Sequence, residues 1–307
     1  MKCAIFHHAP YQRTWEREGL LQVGPQITNQ NLGVNVPSCS ALDAVHYTSA
    51  SCGAPYYPLI YYTDNFYLQS SPLRNINNWP APRILVCGDL HHGNQPLKTL
   101  QEYLHLEKFD AVLLLCNPNM LNQVRNMVTI PVRFLPPTFF KYASAKRSIH
   151  PIKSLLHVGS IGPHHPHRRS IVNELISRSC IPFVHQTTAT PEEAALLYAK
   201  HAIVLNIPLN HDLNHRVYEI MAAGAPQIIF GSPEILGDQE CLALRSDLFW
   251  VSSIDEIEKV TNHLLHDQSA LENILVPPPP MWELDQLMKA ALAPYKQSVE
   301  FQNFTYN

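Results

Sequence analysis

Short apolar runs alternate with amphipathic stretches along most of the chain. "RILVCG" (Arg83 to Gly88) and "FDAVLLLC" (Phe109 to Cys116) read as buried strands, with "PLKTLQEYLHLE" between them as a helix that has Pro96 at its first position. "PNMLNQVRNM" follows as a helix and "PVRFLP" as a short strand. A second alternation begins after the polar, basic segment "TFFKYASAKRSIHP". There "KSLLHVG", "IPFVH" and "AIVLNI" read as strands, and "HRRSIVNELISRS" and "TPEEAALLYAKH" as the helices between them. The second of these helices has a clean start: Thr190 as N-cap, Pro191 at the first position and Glu193 completing a capping box. "PQIIF" and "LFWVS" are further strands, and "SIDEIEKVTNHLLH" and "MWELDQLMKAALAPYK" further helices. Strands that are apolar throughout, each followed by a helix, indicate parallel sheets covered on both faces. "KCAIFH" reads as an opening strand, whereas Gln26 to Pro80, rich in Asn, Ser, Pro and Tyr, keeps no period and predicts only loops and short elements.

A length of 307 residues suits two domains. The alternation divides as 1–140 and 141–280, and the prolines Pro277 to Pro280 lead into a last helix within 281–307.

The stretch "DLNHRVYEIMAAGAPQIIF" (Asp212 to Phe230) has the grammar of helix, stop and strand. Asp212 is placed to cap it, and Gly224 with Pro226 to end it. At about 100° per residue, Leu213, Val217, Ile220 and Met221 form one stripe, while His215, Arg216 and Glu219 fall on a face directed away from the core. In open α/β sheets ligands sit beyond the carboxyl ends of strands, where helix N-termini meet anions. Asn214 to Arg216 would then stand beside a phosphate, with Glu219 in reach of ribose hydroxyls. The same spacing also describes an ordinary solvated helix face.

Composition narrows the picture. With 22 Lys+Arg against 25 Asp+Glu the formal charge is -3, without long runs of one sign, which argues against wholesale capture of nucleic acid. The seven cysteines are scattered and never spaced Cys-x-x-Cys, so neither a disulfide framework nor a zinc knuckle is indicated and a reduced, cytoplasmic setting is the expectation. "MKCAIFHHAP" is too short in apolar residues for a signal peptide, and nothing approaches the roughly 20 apolar residues of a membrane span. "HHPHRR" (His164 to Arg169) lacks a partner cysteine or carboxylate at a metal-binding spacing, so no metal is assigned. "GDLHHG" ends a buried strand, and Asp89, His91 or His92 is placed to act as general base toward an acceptor hydroxyl; a loop-capping Asp and structural histidines would read the same. His7 and His8 end the first strand and are next in line. The aromatic run "YYPLIYY" (Tyr56 to Tyr62) suits packing better than stacking on a sugar or base.

"LLHVGSIGPHHPHRRSIVNELI", "ALLYAKHAIVLN" and "LNHRVYEIMAAGAPQI", in this order, resemble the nucleotide-binding half of GT-B glycosyltransferases of group 1, in the branch of the CgeB-like spore maturation proteins. "GDLHHG" and "KFDAVLLLCNPNMLNQVRN" are similar to the acceptor half. The resemblance implies an α/β GT-B fold, two Rossmann-like domains facing across a cleft, with the last helix crossing back to the first. It implies hexosyltransferase-type transfer from a UDP- or GDP-sugar to an acceptor hydroxyl on a glycan, small molecule, protein or nucleic acid, without a tightly bound cofactor. By position, Glu219 matches the acidic residue that binds the donor ribose, and Gly159, Ser160 and Gly162 the turn that approaches the diphosphate. Arg168 and Arg169 match basic residues near the phosphates, and His185, Gln186 and the turn to Thr188 the region that reads the base. His211 stands where many group 1 enzymes have a second acidic residue touching the transferred sugar, which leaves donor sugar and stereochemistry open. The alternative is a GT-B-like nucleotide-sugar-binding or assembly protein without catalysis.

Overall fold

A computed structural model describes residues 2–9, 13–28, 31–53, 58–88, 90, 93–115, 120–135, 140–209, 213–236, 242, 245–279, 281 and 283–293. The chain forms two compact units, Met1–Lys141 with Met281–Asn307, and Tyr142–Pro280.

In the first unit the strands are β1 (Cys3–Phe6), β2 (Leu20–Gly24), β3 (Gly33–Asn35), β4 (Leu59–Thr63), β5 (Arg83–Cys87), β6 (Ala111–Leu115) and β7 (Val132–Leu135). They make one sheet in the order β3-β2-β1-β4-β5-β6-β7, with every pairing parallel. Helices α1 (Ala41–Cys52), α2 (Asn65–Ser70), α3 (Pro96–Leu106) and α4 (Leu121–Arg125) connect them. Fully buried strands such as β1 and β6 explain the unbroken apolar runs of the sequence. The segment without a visible period holds β3, α1, β4 and α2, elements too short or too mixed to set one up. Close backbone approach is part of the reason: a methyl on Gly33 of β3 would lie 2.5 Å from the Gln22 carbonyl oxygen.

The last helix, Leu284–Leu292, belongs to this unit and packs on β6. It buries Leu284, Leu287, Met288 and Ala291, and the Arg133 guanidinium of β7 donates to the Ala293 carbonyl just past its end.

The second unit carries β8 (Ile152–Val158), β9 (Phe183–Gln186), β10 (His201–Asn206), β11 (Gln227–Phe230) and β12 (Leu248–Val251) in the order β12-β11-β10-β8-β9, again all parallel. α5 (Pro166–Arg178) and the helix Ile254–His266 cover one face, around Leu155, Val172, Leu175 and Ile257. α6 (Pro191–Lys200) and α7 (His215–Ala222) cover the other, around Leu156, Tyr198, Val204 and Ile220. The α6 start is as the sequence signals, with Thr190 Oγ1 accepting from the Glu193 N–H at 3.2 Å; the Glu193 carboxylate returns to the Ala189 N–H at 2.9 Å. Strand order reverses between β8 and β10, so the crevice beyond their carboxyl ends is where an open α/β sheet receives a ligand. Among the described residues no helix is long and apolar enough to cross a membrane.

Because the last helix supplies part of the first unit's core, Leu287→Ala should destabilise that unit by about 2–5 kcal/mol. Urea denaturation followed by tryptophan emission checks this, since Trp15 and Trp79 are buried in the same unit.

Candidate functional site

The carboxyl end of β8 is a turn built on Gly159. Its φ of +146° is one that side-chain-bearing residues rarely adopt, and a methyl built there would stand 2.6 Å from Arg216 Nη2. Glycine therefore lets the Arg216 guanidinium lie against the turn. The Gly159 N–H donates to the Gln186 carbonyl at the end of β9 (3.0 Å), and Ser160 Oγ accepts from the Gly162 N–H (3.1 Å).

α7 brings the other half of the site. Its N-cap is Asn214, not Asp212 as the sequence suggested: Asn214 Oδ1 accepts from the Val217 N–H at 3.3 Å. The physical reason is Asn206, buried at the end of β10, whose amide needs partners and exchanges two 3.1 Å bonds with the Asn214 amide. Asp212 and His211 lie outside the described residues. His215, Arg216 and Glu219 do not share one environment. His215 Nδ1 meets the Tyr142 hydroxyl at 3.0 Å, while Arg216 and Glu219 line a cavity of about 360 Å³. The Gly159–Ser160 turn, the Thr187–Pro191 turn that leads into α6, and Tyr198 of α6 complete its walls.

The electrostatics of this cavity are unbalanced. Arg216 Nε and Nη1 are buried and have no hydrogen-bond partner among the described residues. The Glu219 carboxylate likewise accepts no hydrogen bond from the described residues, and burial raises its pKa against the opposing pull of Arg216. Arg168, buried beneath the turn, donates to the carbonyls of Ile207 (3.0 and 3.3 Å) and Ser160 (3.2 Å). Burial and the nearby Arg216 lower its pKa only to about 10, so it stays charged at neutral pH. His157 is wholly buried close to both guanidinium groups. Burial first, then Arg216, Arg168 and His185, push its pKa to about 2, so the imidazole is neutral. Its Nδ1 lies 3.0 Å from His185 Nδ1. Two guanidinium ions against one carboxylate leave a surplus of positive charge beside a free acceptor. That combination suits a molecule with an anionic group at one end and hydroxyls at the other.

Of the sequence-predicted residues, Gly159, Ser160, Arg216 and Glu219 meet in the cavity, and Arg168 adjoins it through Ser160. Arg169 donates from Nε to the Ile161 carbonyl at 2.8 Å, His185 stacks on His157, Gln186 serves the turn through its carbonyl, and Asn214 is the helix cap. Tyr198, His157 and Tyr142 were missed. Tyr198 continues the Pro191 and Ala194 stripe and reads as core; the signal for His157 was a lone imidazole inside an apolar strand run.

In the first unit, Asp89, His91 and His92 lie outside the described residues. His7 and His8 are buried: His7 Nε2 is 2.9 Å from Gln22 Oε1, with burial pushing its pKa to about 4, and His8 Nε2 is 2.6 Å from the Ser71 carbonyl, its ring stacked on Tyr67. Tyr61 packs among Phe6, Tyr103 and Phe109, and Tyr62 against Trp15 and Phe140; Tyr56 and Tyr57 lie outside the described residues. His164 and His167 of the histidine-rich loop are exposed.

Residues 146–275, all within the second unit, match the family described as "Glycosyl transferase-like". No curated protein matches the chain in sequence. A solved structure of an alpha-glucosyltransferase in complex with UDP and a 13-mer DNA containing a HMU base superposes with a TM-score of 0.52, at 12% identity, over 88% of this chain and 92% of that one. The fold is GT-B. A sucrose-phosphate synthase from Thermosynechococcus elongatus superposes with a TM-score of 0.49, at 11% identity, over 95% and 98% of the two chains. TarM does so at 0.48, with 11% identity, over 70% of this chain and 49% of its own, so this GT-B chain spans about half the length of TarM.

The raised pKa of Glu219 makes a signed prediction. The folded chain holds this proton more tightly than the unfolded chain, so stability falls as pH rises above the ordinary carboxylate value of 4.5. Glu219→Gln, which cannot ionise, should therefore melt higher than the parent at neutral pH, with the two converging as pH is lowered into the carboxylate range. Melting curves without added nucleotide, taken across that interval, check it.

Proposed function

We propose that the chain is a glycosyltransferase that moves a sugar from a nucleoside diphosphate sugar to an acceptor hydroxyl, with the second-unit cavity holding the donor nucleotide. One observation carries this reading. A guanidinium and a carboxylate stand one helical turn apart on α7, both lining the cavity with the glycine turn of β8, and among the described residues two guanidinium nitrogens and the carboxylate have no hydrogen-bond partner. Arg216 meets the diphosphate and Glu219 accepts from ribose hydroxyls. As the bond to the sugar breaks, negative charge grows on the departing diphosphate, and fixed cations in a half-buried site stabilise it without reorganising. The position of the cavity at the strand-order reversal supports the assignment, as do the family match over 146–275 and the UDP in the superposed alpha-glucosyltransferase. UDP and GDP are the donor nucleotides to test. The acceptor hydroxyl would lose its proton to Asp89, His91 or His92 of the first unit, and the finer placement is with the group 1, CgeB-like branch.

Titration calorimetry with UDP and GDP should show binding by the wild type. Glu219→Ala should weaken it roughly ten- to a hundredfold, the effect of a lost hydrogen bond to a charged group; equal affinities would remove Glu219 from the site. Arg216→Ala should lower turnover more than it weakens nucleoside monophosphate binding, because its partner charge is largest in the transition state. Release of free sugar from a nucleotide sugar without acceptor, lost in Arg216→Ala, separates a transferase from a protein that only binds the donor.

A further inference from the structure

α7 is only eight residues long, too short to hold itself by helix propensity, so packing decides how it is turned about its axis. Two pairs of side chains occur on it at the same three-residue spacing. His215 and Tyr218 make one face; Arg216 and Glu219 make the next, about 100° further round. The second pair lines the cavity. Tyr142 engages both members of the first: its hydroxyl lies 3.0 Å from His215 Nδ1, and its ring stacks on that of Tyr218, centroids 5.9 Å apart and planes within 11°. Fixing His215 and Tyr218 fixes the angle at which Arg216 and Glu219 enter the cavity.

The remaining anchors of α7 do a different job. Asn214 and Asn206 set where the helix begins, and Gln227 Nε2 holds the Val217 carbonyl at 2.9 Å. Both engage the start of the helix or its backbone, and neither touches the 215/218 face. Tyr142 opens the second unit, and the segment it begins is pinned further along by Arg147, which donates to the carbonyls of Tyr198, Ala199, His201 and Ala202, and by the Ser148 N–H on Ala199 O (2.9 Å). Burial pushes the His215 pKa down to about 4, so at neutral pH its imidazole is uncharged and accepts from the more acidic phenol.

We propose that Tyr142 is a positioning residue for nucleotide binding, acting through His215 and Tyr218 on the angle of Arg216 and Glu219. This rests on the reading of the cavity as the donor site. The test is calorimetry with UDP and GDP, run well below the melting temperature measured on each variant. Tyr142→Phe keeps the stacked ring and removes only the hydroxyl; nucleotide affinity should fall roughly three- to tenfold, the range for one uncharged hydrogen bond. His215→Leu removes the same bond from the other side, so it should show the same loss and add nothing to Tyr142→Phe. Placed in Glu219→Ala, Tyr142→Phe should cost clearly less than in the wild type, because the contact it aims is gone. A residue that only stabilises the fold would lower the melting temperature and leave affinity unchanged, and that result, or full additivity with Glu219→Ala, overturns the proposal. If Tyr142→Phe does not fold, His215→Leu against Glu219→Ala decides the same question. Wild type that binds neither nucleotide removes the donor site and this proposal together; wild type that binds, with Tyr142→Phe binding equally well, removes only the proposal.

Discussion

The candidate site depends on one close approach, the Arg216 guanidinium laid against Gly159, where no side chain would fit. With it there, a cation faces the end of β8, Arg168 lies beneath the turn, and the buried imidazole of His157 is forced to stay neutral. Burial first, and then the two guanidinium groups, keep His157 neutral; were it protonated, three cations would share a poorly hydrated space. Glu219 answers only part of that charge. The excess of positive charge is local, set in a chain whose total formal charge is -3.

How much of this was legible in the sequence depended on the range of the interactions. Strands buried on both faces announced themselves as apolar runs, and β5, β6, β8 and β10 lie where those runs fall. β2 and β3 did not, because Gln22 is buried through a bond to His7 and the glycines of these strands are present for backbone approach, and neither leaves a hydrophobic trace. On α7 the apolar stripe was readable, and so was the polar face turned from the core, but not that His215 would meet Tyr142 while Arg216 and Glu219 line a cavity. The cap was misread because its reason, the Asn206 amide, belongs to a neighbouring strand. Tyr142 left no signal at all, since its partner His215 is 73 residues away.

The cavity also shows why a carboxylate is costly to keep in such a place. Glu219 is half-buried, and among the described residues it is Arg216 that offsets the penalty of burial. The fold carries such a group on a sheet that helices pack on both faces.

The return of the helix Leu284–Leu292 to the first unit has a consequence for how the protein is made. During translation the strands β1 to β7 emerge first, but the place that the helix Leu284–Leu292 takes against β6 stays open until about 150 further residues have been synthesised. The second unit, continuous in the chain, can close on the ribosome while the first still waits for its final piece. The first unit is therefore the part that needs protection as a nascent chain, and it is completed last although it is begun first.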